Sequence, residues 1–194
     1  YMGFNFRLED HPTRSRNVRL ALAHALNRDL IIKHILGGMA SPAVGVLPDG
    51  HWAFNNDLQP VQFDLEKAKQ LLDAEGYTEK DGVRFTIEFK VSQNKQSRKL
   101  AEIIQAQWGQ IGVKVNLQSL EWGTFYEDVV KGNFETYVLS WVGVTDPDIY
   151  HSIFHSSSIP PNGRNRGHYM NAELDQLLDA ARIEMNQAAR AELY

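Results

Sequence analysis

Residues 83–91 read VRFTIEFKV, and this stretch decides the fold class. Apolar and polar residues alternate strictly along it, with the apolar set at Val83, Phe85, Ile87, Phe89 and Val91. Successive side chains of a β-strand point to opposite faces of the sheet. The alternation therefore predicts a strand that buries one face and exposes the other.

A helix and a second strand follow this strand directly. Residues 97–111 carry an apolar stripe at helical spacing, Gly112 ends the pattern, and residues 113–117 (VKVNL) alternate again. Strand, helix and strand within about 35 residues form a βαβ unit, whose strands are expected to be parallel. The predicted fold class is α/β, with a mixed sheet that contains this unit and is flanked by helices.

The other periodic segments predict further elements around the βαβ unit. Asp64 is a suitable N-cap for a short helix that Gly76 closes. Residues 134–141 are more continuously apolar, which is typical of a strand covered on both faces. Further helices are predicted over residues 17–35 with a break at 27–29, over 123–131, over 149–155 and after Asn171. Without an internal repeat, these elements indicate a single domain over residues 1–194.

Composition excludes several classes of function. The 194 residues contain 20 Lys+Arg and 24 Asp+Glu, and a net charge of −4 argues against nucleic acid as a partner. The absence of cysteine excludes disulfides, thiol catalysis and thiolate metal sites. No apolar run approaches the ~18–20 residues that a membrane span requires. The chain starts at Tyr1 rather than Met and stops within a helical pattern, so we expect it to be part of a longer protein.

Two tryptophans follow predicted strands at the edge where open α/β sheets bind ligands. Trp122 and Trp141 each combine a large apolar face with one N–H donor, which suits a wet cleft that accepts varied side chains. If they line a cleft, both should be partly exposed. The alternative is that both tryptophans pack in the core, since Trp is highly buried on average.

Asp146 and Asp148 flank Pro147 and permit two interpretations. The pair could serve acid–base chemistry or hold a cation. Alternatively, Asp148 caps the helix that starts at Ile149, because Asx residues beside proline are common at helix starts. The helix cap is the favoured interpretation.

His151 and His155 have the i, i+4 spacing that lets two imidazoles share one metal ion. The sequence offers no obvious third ligand and no intervening glutamate, so neither a metal site nor hydrolase activity is predicted. Arg164, Arg166 and His168 form a small basic patch. Scattered basic residues in a polar loop are usually solvated surface.

Several segments, taken in order, resemble the C-terminal lobe of one family, the dipeptide/oligopeptide-binding (family 5) solute-binding proteins of ABC importers. They are NVRLALAHALNR (17–28), DLEKAKQLL (64–72), KLAEIIQAQW (99–108), IGVKV (111–115), EW (121–122), KG (131–132), SW (140–141), DPD (146–148) and ELDQLL (173–178). Together these segments cover nearly the whole chain.

The resemblance implies a periplasmic-binding-protein fold in which two lobes close on a solute. Residues 1–194 would be the C-terminal lobe, and residues 1–12 the crossover from the missing N-terminal lobe. The expected partners are a peptide or another small solute and the ABC permease subunits in the membrane. The expected location is the periplasm, or the cell surface with a lipid anchor in a single-membrane bacterium. No catalysis and no cofactor are expected.

The resemblance also places the site. Trp122 and Trp141 match tryptophans that line the peptide cleft. Val144 stands where dipeptide-binding relatives place an aspartate for the peptide ammonium group, and Val91 stands where they place an arginine for its carboxylate. Asp146 is a candidate to replace the missing aspartate. Loss of both anchors favours oligopeptides over free dipeptides.

Two alternatives to peptide capture stay open. One is a carrier of a metal complex or haem from the same family. The other is a metal-assisted enzyme that uses His151 and His155.

Overall fold

The computed structural model describes residues 1–194 and centres on one four-stranded sheet. Its strands are β1 (Met2–Phe4), β2 (Phe85–Ser92), β3 (Val113–Leu120) and β4 (Thr136–Val138), in the order β1-β4-β2-β3. Strand β2 pairs in parallel with β3 and with β4, whereas β1 runs antiparallel to β4. The predicted α/β class with a mixed sheet is confirmed.

Eight helices surround the sheet. They are α1 (Arg16–His24), α2 (Arg28–Ile35), α3 (Leu65–Ala74), α4 (Lys95–Gly109), α5 (Trp122–Lys131), α6 (Ile149–Phe154), α7 (Ala172–Ile183) and α8 (Gln187–Leu193). None has the length and apolar character needed to cross a membrane. The predicted caps of α3 are confirmed, because the Asp64 side chain accepts from the Lys67 N–H at 2.8 Å and Gly76 takes a φ of 84°.

The predicted βαβ unit consists of β2, α4 and β3. Pairing runs without interruption from Phe85 opposite Val113 to Ser92 opposite Leu120. The inward side chains of both strands and the apolar stripe of α4 form the main core together with α1 and α3. Its fifteen buried members are Val18, Ala21, Leu22, Ala25, Ala68, Leu72, Ile87, Phe89, Val91, Ala101, Ile104, Trp108, Ile111, Val113 and Val115.

Two boundaries differ from the prediction. Helix α4 starts at Lys95, two residues before the predicted start at residue 97, because Asn94 is its N-cap and accepts from the Ser97 N–H at 2.8 Å. Strand β4 contains three residues rather than the predicted 134–141. Beyond Val138 the chain leaves β2, and the Leu139 N–H donates to the Tyr1 carbonyl at 3.1 Å. Apolar character at 139–141 therefore reflects loop packing rather than strand pairing.

The edge strand β1 requires a glycine at its centre. Gly3 pairs with Tyr137 of β4, and a Cβ atom at Gly3 would overlap the Tyr137 ring. The close approach lets the Tyr1 ring meet the Tyr137 ring edge-on at 5.9 Å between centroids. Position 3 thus brings the first residue of the chain to the end of β4.

Trp108 holds the main core together. Its side chain is fully buried, its ring stacks on Phe89 of β2 with centroids 6.0 Å apart, and its Nε1–H donates to the Leu22 carbonyl at 3.0 Å. One side chain of α4 therefore contacts the sheet and satisfies a backbone acceptor of α1. Its removal would leave both a cavity and an unpaired carbonyl.

We expect Trp108→Ala to lower the free energy of unfolding by about 3–5 kcal/mol, the usual range for a buried aromatic side chain. Trp122→Ala is the matched control, since Trp122 is 53% exposed and should change stability by at most about 0.5 kcal/mol. Urea unfolding followed by far-UV circular dichroism measures both variants. Equal losses in the two variants would contradict the assignment of Trp108 to the core.

Candidate functional site

The three parallel strands end at one edge of the sheet, at Ser92, Leu120 and Val138. Trp122 follows β3 at the first position of α5, where the Glu121 side chain caps the helix by accepting from the Gly123 N–H at 2.7 Å. The cap sets the direction in which α5 leaves the sheet. It thereby holds Trp122 at the carboxyl edge.

Trp122 lies over a groove of about 380 Å³, which we call the strand-edge groove. Its ring stacks on Tyr126 with centroids 5.5 Å apart and is 53% exposed. The groove is lined by Ile31, Ile35, Leu36, Ser92, Asn94, Gln96, Ser97, Leu100, Trp122, Phe125, Val138, Leu139 and Ser140. Apolar walls with hydroxyl and amide groups at one end are typical of pockets for small ligands.

Trp141 lies in a second groove of about 320 Å³, which we call the Trp141 groove. The ring is half-buried and stacks on Tyr1, with centroids 5.1 Å apart and 9° between planes. The prediction that both tryptophans are partly exposed is confirmed. The two rings line neighbouring grooves rather than one shared pocket, and neither belongs to the main core.

Arg166 is a buried cation, so its interpretation as solvated surface was wrong. Only 6% of the residue is exposed. Its Nη1 donates to the Tyr1 hydroxyl at 2.7 Å and its Nη2 to the Tyr126 hydroxyl at 3.2 Å. The guanidinium also lies 5.3 Å from the centre of the Trp141 ring. No local pattern in the sequence indicates this burial, because the tyrosines that receive Arg166 are distant along the chain.

Arg166 connects the two grooves. Trp122 stacks on Tyr126, Tyr126 accepts from Arg166, Arg166 donates to Tyr1, and Tyr1 stacks on Trp141. We call these five residues the aromatic–arginine chain. Burial raises the pKa of the Tyr1 phenol, so this hydroxyl is neutral at pH 7 and does not balance the guanidinium charge.

Arg164 adds a second cation to the Trp141 groove. Its guanidinium lies 5.5 Å from the centre of the Trp141 ring and is exposed. The ion pairs of the structure involve other cations, among them Arg84, Lys90 and Arg182. Both grooves lack acidic residues in their walls. Neither Arg164 nor Arg166 therefore has a carboxylate partner in the walls of the grooves.

The other predicted site residues lie elsewhere. Val91 is fully buried in the main core, because it points to the α4 side of β2, so its candidacy as a ligand contact was wrong. Val144 is half-buried in the loop after β4 and lines neither groove. Asp146 accepts from the Asp148 N–H at 2.8 Å and lies 3.5 Å from Arg190. The Asp146 carboxylate thus contacts its own turn and Arg190 of α8, and it lines neither groove.

Asp148 occupies the N-cap position of α6, as predicted, but its side chain does not cap the helix. Its backbone is already helical, with φ −60° and ψ −10°, and its side chain makes no capping bond. The carboxylate instead accepts from Arg182 of α7 at Nε (2.7 Å) and Nη2 (3.0 Å), a bidentate, charge-assisted pair. Asp146, two residues earlier, accepts from the Asp148 N–H and makes the local backbone contact.

His151 and His155 stack face to face on α6, with ring centroids 4.2 Å apart. Helix α7 places Asp179 beside both rings, at 3.7 Å from His151 Nε2 and 3.4 Å from His155 Nε2. A third metal-ligating group is therefore present, which the sequence analysis missed. The available signal was the i, i+4 spacing of Asp175 and Asp179 in a segment that follows the histidines. Burial, with Arg182 and His155 nearby, lowers the pKa of His151.

Comparison with known proteins identifies the family. The sequence model described as "Bacterial extracellular solute-binding proteins, family 5 Middle" matches residues 1–160. The dipeptide-binding protein of Escherichia coli (strain K12) is 30% identical over 196 residues, which cover 100% of this chain and 36% of that protein. Heme-binding protein A of Haemophilus influenzae is 34% identical over 196 residues, which cover 100% of this chain and 35% of that protein.

A solved structure confirms the lobe fold. The oligopeptide-binding protein AppA from Bacillus subtilis, in complex with a nonapeptide, superimposes with a TM-score of 0.91 at 30% sequence identity. The match covers 100% of this chain and 40% of that protein. The chain thus spans between 35% and 40% of the length of these relatives. With its sheet, its helices and residues 1–160 all matched, the chain belongs to family 5 of the bacterial extracellular solute-binding proteins.

Proposed function

We propose that this chain is one ligand-binding lobe of the solute receptor of an ABC importer, and that it captures peptides without catalysing a reaction. The observation that carries the proposal is a pair of grooves, one at the carboxyl edge of the sheet and one beside strand β1, joined by the aromatic–arginine chain. Residues 1–194 form the C-terminal lobe, and residues 1–12 lead into it from the other lobe. The other lobe closes over the two tryptophans. The closed receptor acts outside the cytoplasm and delivers its solute to the membrane permease.

The lining of the grooves supports an extended peptide as the solute. Trp122 and Trp141 supply flat apolar walls that tolerate varied side chains. Hydroxyl and amide groups from Ser92, Asn94 and Ser140 offer partners for a peptide backbone in the strand-edge groove. Backbone hydrogen bonds with pockets for alternate side chains are a general mode of peptide recognition.

The charges support a carboxylate at the Trp141 groove. Arg164 and Arg166 both lie against Trp141 and lack an acidic partner within this chain. A guanidinium binds a carboxylate through paired, charge-assisted hydrogen bonds. The carboxyl terminus of the peptide is the group that the exposed Arg164 receives. The buried Arg166 adds only its positive charge, because its Nη atoms already donate to two tyrosines. No acidic side chain lines either groove to hold an ammonium group, which supports oligopeptides over free dipeptides.

Haem is the second candidate, because the same groove suits it. Haem is planar, apolar on both faces and carries two propionates, and the Trp141 groove combines stacked aromatic rings with two unpaired cations. The 34% identity to a heme-binding protein adds to this candidate. Peptides and haem are therefore the two outcomes that the first experiment separates.

We expect the complete protein that contains this chain to retain peptides through purification. Denaturation followed by mass spectrometry of the released small molecules identifies them, and an absorption spectrum of the native sample reports haem. Peptides of several residues with free carboxylates would support the proposal. A Soret band without peptides would replace it with haem capture, and a preparation that holds and binds neither would contradict both.

Arg164→Gln in the complete protein should weaken binding of a recovered peptide by about tenfold to a hundredfold, because a hydrogen bond to a charged group contributes about 1.5–3 kcal/mol. The same peptide synthesised as its carboxyl-terminal amide should bind the wild type and the variant equally. Arg98→Gln is the control, since Arg98 is an exposed arginine of α4 outside both grooves. Isothermal titration calorimetry measures each pair, and an equal loss for the acid and the amide would exclude a carboxylate contact at Arg164.

Trp122→Ala in the complete protein should weaken binding of the same peptide by roughly 1–3 kcal/mol, because it removes an apolar wall of the strand-edge groove. Its melting temperature without peptide should stay that of the wild type, since the ring is half exposed. Calorimetry and a thermal melt give the two quantities. Unchanged affinity together with a lower melting temperature would show that Trp122 is a packing residue.

A further inference from the structure

The one cluster of metal-ligating side chains outside the grooves lies between α6 and α7. His151 Nε2, His155 Nε2 and a carboxylate oxygen of Asp179 all lie within 4.8 Å of one another. Both histidines are buried, whereas Asp179 is exposed at the mouth of the cluster. None of the three lines the strand-edge groove or the Trp141 groove. Solute capture therefore does not account for their arrangement.

We propose that His151, His155 and Asp179 bind a divalent transition-metal ion of the Zn²⁺ class. Two imidazoles and one carboxylate form a ligand set that Zn²⁺ accepts, with a fourth position open to water. Ligands about 2.0–2.2 Å from zinc lie closer together than these three groups do. The two imidazole rings are stacked with centroids 4.2 Å apart, so their Nε2 lone pairs run side by side. Zinc binding therefore requires a turn of one ring as well as rotation of the exposed Asp179 side chain toward the ion.

An unsatisfied ring nitrogen supports this site. His155 Nε2 has no hydrogen-bond partner, although nine-tenths of the side chain is buried. Its Nδ1 lies 2.7 Å from the Ser157 hydroxyl and 3.0 Å from the Ser157 backbone nitrogen. The Ser157 backbone N–H donates to Nδ1, so a neutral His155 ring carries its proton on Nε2, where it faces the Asp179 carboxylate without an aligned hydrogen bond. Binding of a divalent cation at Nε2 requires this proton to move to Nδ1, which then donates to the Ser157 hydroxyl instead of accepting from the backbone N–H. The cation then binds the Nε2 lone pair and the carboxylate together.

Outer hydrogen bonds orient both rings for this role. The Ser157 hydroxyl holds His155 through Nδ1, and the Ser158 hydroxyl lies 3.3 Å from His151 Nδ1. Metal-bound histidines usually donate their second ring nitrogen to such a partner, which fixes the tautomer and the ring direction. Both serines lie in the 3₁₀ turn that follows His155. The stacked rings bring both Nε2 atoms beside Asp179 of α7.

Arg182 competes with the ion. Its Nη1 lies 3.1 Å from His151 Nε2, and its Nε and Nη2 bind Asp148. Metal binding requires the guanidinium to release His151, while its two bonds to Asp148 persist. Arg182 therefore lowers the affinity of the site for a cation. Removal of this guanidinium should raise the affinity, which is a consequence that a purely structural histidine pair would not have.

The test uses the complete protein, freed of metal with EDTA and titrated with ZnCl₂ in a calorimeter. We expect one Zn²⁺ per chain with a Kd below about 10 μM. His155→Ala and Asp179→Asn should each abolish this binding, Arg182→Gln should tighten it by at least about tenfold, and His34→Ala, an exposed histidine of α2, should leave it unchanged. Visible absorption of the Co²⁺-loaded protein should show the bands of a tetrahedral site in the wild type and lose them in Asp179→Asn.

Thermal melts of the metal-free variants show whether each one folds. If His155→Ala does not fold, Asp179→Asn still decides the test. Absence of Zn²⁺ binding up to roughly 100 μM in the wild type would overturn the proposal. Binding that survives Asp179→Asn and His155→Ala would also overturn it, since the ion would then lie elsewhere. The proposal is independent of solute capture, because peptide binding and Zn²⁺ binding are measured on different residues.

Discussion

The parallel pairing of β2 with β3 is the constraint on which the rest of the structure depends. Parallel strands cannot be joined by a tight turn, so the chain must cross over the sheet, and α4 is that crossover. Its buried face then positions α1 and α3 through Trp108 and the core around it. The same geometry brings the ends of β2, β3 and β4 to one edge. The strand-edge groove lies at that edge because these strands run in one direction.

The grooves depend on a cation that the fold buries without an acidic partner. Arg166 is held by two neutral phenols and by the faces of aromatic rings. Hydrogen bonds to neutral acceptors satisfy the N–H donors of a guanidinium but leave its charge in place. Such a charge is expensive to bury, and an anionic group supplied by a solute would offset it. The aromatic–arginine chain thus connects this buried cation with the two tryptophan rings that line the grooves.

A second polar cluster lies between α6 and α7. Two i, i+4 pairs of opposite character meet there, His151 with His155 and Asp175 with Asp179. Arg182 completes the contact through Asp148 and His151. Helix α6 also carries Ile153 and Phe154 into the Trp141 groove. The same short helix therefore contributes both to this cluster and to the groove.

The sequence by itself determined the βαβ unit and the positions of most helices. These features follow from local periodicity and from caps such as Asp64 and Asn171, whose effects act within one turn of a helix. It also determined the family, because the matching segments keep their order along the chain. The short extent of β4 was not predicted, since apolar residues at 139–141 look the same in a strand and in a packed loop.

Only the tertiary structure decided the fate of the charged residues. Arg166 is buried because Tyr1 and Tyr126 reach it across the fold, the Asp148 side chain does not cap its helix because Arg182 approaches from α7, and Asp179 joins two histidines from another helix. The alternation that predicted strand β2 also places Val91 on its buried face. Alignment with the family alone had instead made Val91 a candidate ligand contact. Long-range partners of a charge are set by how helices and loops pack, and no pattern within a short segment contains that information.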